Sequence, residues 1–373
     1  MGFRFKINNF RVLQAVDFSP DGVCLIVGPN GCGKTTLLSA IELMRNTFER
    51  GFGTALNFLG GASGFPNFFS QPGTPTTLVI ETAGFRWELN PTVYQNSIVH
   101  PIPEKMSQEN VLLFAVTPGE TQFQYTTEVL TTNERVTALK RVYENTYPNS
   151  EFEDFVKPLT YYQRYYNYQL WQLLKSGSLN SSENELNFGG QNAFSVLRNW
   201  HSSKRLRERY DFVISVLQQA FPNFFDDLNF ESAGNTVFIR MYHKKIEQAP
   251  IAAHLLSNGF LIALLHLMAV CSVPDGGIIG IDEPENGLHP YAIRQLIDAF
   301  RERSKEHDLT ILLATHSPFM LNEFMEEPNQ VYVMDQNESK PIIPLDELKE
   351  PEWLKCFALG DYLYGAEFAR QGD

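Results

Sequence analysis

Eight residues, Gly28-Pro29-Asn30-Gly31-Cys32-Gly33-Lys34-Thr35, restrict what this chain can fold into more than any other feature. They follow an apolar run at 23–28. They precede a stretch at about 34–47 in which Leu37, Leu38, Ile41 and Met44 share one helical face. A strand, a glycine-rich turn and a helix in that order make a phosphate-binding loop. The glycines let backbone N–H groups close around phosphate, and the helix N-terminus adds favourable partial charge. The expected nucleotide contacts are Asn30, Gly31, Cys32, Gly33, Lys34, Thr35 and Thr36. Lys34 reaches the β and γ phosphates, and the Thr35 hydroxyl ligates Mg²⁺. Cys32 lies between a cationic side chain and a helix N-terminus, so its thiolate is expected to be favoured and reactive.

Three further motifs follow in order. Ile278-Ile279-Gly280-Ile281-Asp282-Glu283 is an apolar strand ending in two acids. Alone, such a pair is a solvated strand end. Downstream of a phosphate-binding loop, Asp282 reads as a Mg²⁺ ligand and Glu283 as the group that orients the attacking water. Leu256-Ser257-Asn258-Gly259-Phe260 opens an apolar helix 25 residues ahead of Asp282. Ser257 suits its N-cap, leaving N–H groups aimed at an anion. Leu312-Leu313-Ala314-Thr315-His316 then places a histidine at the end of the next strand.

The last third alternates strand and helix, which implies a parallel sheet with helices on its faces. Strand signals at 77–82, 85–89, 111–116 and 122–129 suggest an antiparallel sheet, and 50–75 reads as a long loop. From 134 to 221 the period is helical, including a very aromatic segment at 161–171 that contains Tyr165, Tyr168 and Trp171. The expected organisation is an N-terminal head portion (1–133), an inserted, mostly helical lobe (134–221), a C-terminal head portion (222–335) and a tail (336–373).

These residues resemble the RecF/SMC/OLD branch of the ABC ATPases. The opening Ile7-Asn8-Asn9-Phe10-Arg11 and the segment Glu283-Pro284-Glu285-Asn286-Gly287-Leu288-His289-Pro290 are similar to that branch, the latter to its OLD-like subset. The resemblance covers roughly 1–130 and 225–335. It implies an α/β fold, a P-loop NTPase head of ABC type whose mixed sheet is joined by an antiparallel β subdomain and an inserted helical lobe. It implies hydrolysis of ATP with Mg²⁺ in a head-to-tail dimer, with Glu283 and the switch histidine His316 catalytic. Ser257 and Gly259 would reach the γ phosphate bound by the partner subunit. The signature lacks the usual second glycine and glutamine. Gln71, before the strand at 77, is the candidate Q-loop metal contact. OLD nucleases carry a Toprim domain after this core, and with about forty residues after Met334 none is expected here. Stand-alone ATPases of this kind work with a separately encoded nuclease, reverse transcriptase or toxin in phage defence. The aromatic segment and the tail are the expected docking surface for such an effector.

Composition narrows the alternatives. A net charge of −13 disfavours a general nucleic-acid-coating surface, leaving the run Lys204-Arg205-Leu206-Arg207-Glu208-Arg209 as the local basic patch. No apolar run reaches the roughly 18–20 residues that cross a bilayer. Cys24, Cys32, Cys271 and Cys356 form no CxxC pair, so a reducing, cytoplasmic setting is expected. A DNA-repair ATPase that binds DNA directly and a transporter's ATP-binding subunit are the competing readings.

Overall fold

The computed structural model describes residues 2–82, 84–133, 135–145, 150–335 and 341–348, so most of the expected tail lies outside the described residues. The chain opens with β1 (Arg4–Phe10), β2 (Leu13–Phe18), β3 (Val23–Val27), α1 (Lys34–Arg50) and α2 (Phe52–Phe58). Next come β4 (Thr77–Thr82), β5 (Phe85–Leu89), β6 (Val93–Tyr94), β7 (Ser97–Ile98), β8 (Glu104–Gln108) and β9 (Val111–Val116). A hairpin follows, β10 (Gln122–Tyr125) with β11 (Glu128–Thr131). The middle holds α3 (Ala138–Asn145), α4 (Ser150–Thr160), β12 (Tyr162–Tyr165), α5 (Leu170–Ser176), β13 (Ser178–Leu179), α6 (Ala193–Ser202) and α7 (Arg207–Ala220). Strands β14 (Phe225–Ala233), β15 (Thr236–His243) and β16 (Ile246–Ala252) lead into α8 (Asn258–Ser272) and β17 (Ile278–Asp282). The chain continues through α9 (Pro290–His307), β18 (Thr310–Ala314), α10 (Pro318–Asn322), β19 (Val331–Met334) and β20 (Ile342–Pro344).

The central sheet runs in the order β12-β17-β18-β3-β19-β20. Its first five strands are parallel, and β20 is antiparallel to β19. Both faces are covered, so every residue of β3, β18 and β19 is buried. Alternate side chains enter two separate cores. Leu25, Val27, Ile279, Ile281, Ile311 and Leu313 pack with α8, α9, α6 and α7. Cys24, Ile26, Ile278, Leu312 and Ala314 face α1 and the second sheet. That second sheet is antiparallel, ordered β2-β1-β4-β5-β8-β9, and holds the strands expected at 77–82, 85–89 and 111–116. The expected strand at 122–129 is instead the β10–β11 hairpin, a sheet of its own, because the chain turns back at 126–127. Helix α8 is buried all round because it is apolar all round.

Two expectations are corrected. Residues 161–171 are not one helix: Tyr162–Tyr165 form β12, which pairs in parallel with β17 at the edge of the central sheet. Tyr165 is fully buried and donates a hydrogen bond to the Leu186 carbonyl, whereas Trp171, on α5, is 72% exposed. The stretch 50–75 is not all loop, since α2 lies within it between Gly51 and the Gly60-Gly61 turn. The mostly helical stretch 134–221 builds on the head itself: α4 packs on α1, and α7 packs on α8 and α9.

Candidate active site

Three neighbouring parallel strands, β17, β18 and β3, end on the same edge of the sheet, the edge where open α/β sheets hold their ligands. The phosphate-binding loop leaves β3 there. Gly31 and Gly33 take positive φ values of 81° and 108°, and α1 starts directly after Gly33. The Lys34 ammonium donates to the carbonyls of Gly28 (2.7 Å) and Pro29 (3.2 Å), which points it across the loop. Asn30 is exposed and Thr36 half-buried.

Asp282 ends β17 and reaches the loop directly: the Thr35 hydroxyl donates to Asp282 Oδ1 at 3.2 Å. Glu283 follows with φ of 50°, a positive value that a non-glycine residue holds only when its surroundings enforce it. Its N–H donates to the Ala314 carbonyl at 2.7 Å, tying it to the end of β18. Its carboxylate accepts from Asn286 Nδ2 at 2.6 Å and lies 3.5 Å from His316 Nδ1. Both Glu283 and His316 are half-exposed. Behind them Thr315 donates its hydroxyl to Glu285 at 2.5 Å, and burial pushes the Glu285 carboxyl up. The structure thus brings Lys34, Thr35, Asp282, Glu283 and His316 to one edge.

Ser257 caps α8, its hydroxyl accepting from the Phe260 N–H at 3.3 Å. Gly259 is required for a steric reason: a Cβ there would sit 2.4 Å from the Gly287 carbonyl oxygen. The first turn of α8 is therefore in backbone contact with the loop after Glu283. Deeper in α8, neutral His266 spans the same gap. Its Nε2–H donates to the Pro284 carbonyl (3.1 Å), and its Nδ1 accepts from the Tyr168 hydroxyl (3.0 Å). Complete burial holds its pKa down to about 4.

Two expected residues behave differently. Gln71 stays exposed in the loop before β4, where its carbonyl accepts from Thr74, and no hydrogen bond among the described residues joins its side chain to Thr35 or Asp282. Cys32 is buried, and burial pushes its thiol pKa up against the pull of Lys34. The expected reactive thiolate is therefore corrected: desolvation outweighs the neighbouring charge. Asn286 and Arg164 are site residues that sequence reasoning missed. Asn286 lay within a recognised motif. Arg164 bore no local signal, because its partner is 118 residues away.

The oxygens of Thr35 and Asp282 suit a hard cation. Among the described residues no group of three or more His, Cys, Asp or Glu side chains could hold a metal.

The sequence profile of the family described as "AAA domain, putative AbiEii toxin, Type IV TA system" matches residues 23–322. The chain belongs to this family. Curated relatives match over short stretches. The energy-coupling factor transporter ATP-binding protein EcfA2 of Ligilactobacillus salivarius is 34% identical over 82 residues, 21% of this chain and 26% of its own. The OLD nuclease of Thermus scotoductus is 49% identical over 41 residues, 11% of this chain and 8% of its own. The chain thus spans about a quarter of the EcfA2 relative's length. Among solved structures, the Smc head bound to the C-winged helix domain of ScpA has a TM-score of 0.54 at 12% identity, covering 92% of this chain and 98% of that one. The Pyrococcus furiosus Smc head with an extended coiled coil gives 0.54 at 12%, covering 94% and 98%. The fold of this family member is that of an Smc-type P-loop head. Among the described residues no helix is long and apolar enough to cross a membrane.

Proposed function

We propose that this family member binds and hydrolyses ATP with Mg²⁺ in a head-to-tail dimer, and that dimer closure gates a separately encoded effector, a nuclease, toxin or reverse transcriptase, in defence against phage. The observation that carries the catalytic reading is the 3.5 Å approach of Glu283 to His316 beside the Thr35–Asp282 pair. The phosphates lie along the loop at 28–35, and Lys34 neutralises the charge that develops on them. Glu283 accepts the proton of the attacking water, and Asn286 fixes the carboxylate's direction. His316 donates toward the γ phosphate. Mg²⁺, held by Thr35 and Asp282, would supply charge neutralisation to the β and γ phosphates. The capped but outward end of α8 at Ser257 suits a phosphate brought by a second copy.

Glu283→Gln keeps the site's shape and removes the proton acceptor. The expected result is at least a hundredfold slower hydrolysis and an ATP-dependent shift from monomer to dimer by light scattering. Lys34→Ala is expected to lose ATP binding in titration. Wild-type hydrolysis by Glu283→Gln would remove Glu283 from the catalytic role. Affinity copurification of a partner tests the effector. A copurifying permease would instead favour the transporter reading, which the stretch shared with EcfA2 supports.

A further inference from the structure

We infer that Arg164, on the edge strand β12, is the positioning residue that fixes Asp282 for metal binding. The inference rests on the proposed roles of Asp282 and Thr35 at Mg²⁺. Arg164 Nη2 donates to Asp282 Oδ2 at 2.8 Å, and Nε donates to the same oxygen at 3.2 Å. The other carboxylate oxygen, Oδ1, is the one that meets Thr35. A carboxylate's terminal torsion is soft, so an unanchored aspartate would sample many directions. Here one oxygen is clamped by a planar fork and the other is left facing the phosphate-binding loop.

The clamp is itself held from three sides. Arg164 Nη1 donates to Ser39 Oγ (2.7 Å) and to Glu42 Oε2 (3.2 Å), both on α1. The guanidinium lies 4.5 Å from the centre of the Tyr166 ring. Its side chain is 8% exposed and that of Asp282 10%, so the pair is shielded from competing water. Register keeps it in place. Arg164 pairs with Gly280 of β17, and two residues earlier the Tyr162 hydroxyl donates to the Leu38 carbonyl of α1 at 2.9 Å. Gly280 is a close-approach glycine, since a Cβ there would lie 2.7 Å from that hydroxyl. Strand β12 thus binds the helix after the phosphate loop to the strand that presents Asp282.

The test compares wild type, Arg164→Lys, Arg164→Gln and Asp282→Asn. Binding of a fluorescent ATP analogue is followed in EDTA and then across a MgCl₂ titration. Partners of metal ligands typically govern 10- to 100-fold in metal affinity. Arg164→Gln is therefore expected to raise half-saturating Mg²⁺ by about 10- to 100-fold while leaving nucleotide affinity in EDTA unchanged. Arg164→Lys, which keeps the charge but not the fork, is expected to fall between. If Arg164→Gln fails to fold, the Mg²⁺ titration of Arg164→Lys decides alone. Wild-type Mg²⁺ dependence in a folded variant overturns the inference. So does an equal loss of affinity with and without metal, which is the mark of a merely structural role. If Asp282→Asn itself leaves the Mg²⁺ response intact, the reading of the metal site fails first and takes the inference with it.

Discussion

At the scale of single residues, Cys32 shows how burial can reverse what neighbouring charge suggests. Its thiol sits under the loop, and its raised pKa makes the thiolate scarce at neutral pH. Native-state alkylation of Cys32, followed by peptide mass spectrometry, is expected to be slower than in denaturant by about an order of magnitude or more. Cys24 and Cys271, whose thiols are pushed up to about 12, serve as inert references. Rapid stoichiometric labelling of Cys32 in the folded protein would contradict this. The same contrast governs which site residues could be read in advance. Lys34, Asp282, Glu283 and His316 were legible because each ends or begins an element within a fixed local pattern. Arg164 was not, because its meaning comes from strand pairing over more than a hundred positions. The fate of Cys32 turned on solvent access, which local sequence does not encode.

At the scale of elements, α3 depends on a group outside itself. Glu104, on β8, is fully buried and accepts from the Ala138 N–H (2.7 Å), the Leu139 N–H (2.8 Å) and Trp87 Nε1 (2.8 Å). It caps the helix N-terminus from another strand. Burial outweighs these donors and pushes its pKa up to about 7. The native state therefore holds a proton that the unfolded chain releases near 4.5. Glu104's contribution is full below that value and is lost as pH rises toward 7. Glu104→Gln should flatten this slope, seen as a smaller loss of unfolding free energy between pH 5 and pH 8. Parallel curves for the two proteins would refute it. Among the elements, β3, β17, β18, α8 and α9 were legible, because buried parallel strands and capped helices carry strong local patterns. Strand β12 was not. It is covered on both faces, so Tyr162 and Tyr165 enter opposite cores and leave no polar alternation to read.

At the scale of the whole molecule, the middle of the chain helps build both cores flanking the central sheet, and this separates two aromatic residues close in sequence. Tyr165→Ala should cost about 3–5 kcal/mol, the usual penalty for emptying a buried aromatic site. Trp171→Ala should change stability by less than about 0.5 kcal/mol. Denaturant unfolding distinguishes them, and equal losses would mean that Trp171 is not the exposed residue found on α5. Trp171 and Tyr166, 72% and 53% exposed, are the aromatics of this segment that reach the surface. The contact between Gly259 and Gly287, with the His266 bridge beneath it, has a consequence for timing. A push on the tip of α8 bears directly on the turn that carries Glu283. If that tip rests on a neighbour's nucleotide, each catalytic turn answers to a nucleotide it does not itself hold. Two such heads would then keep a common clock, firing as a pair or waiting as a pair.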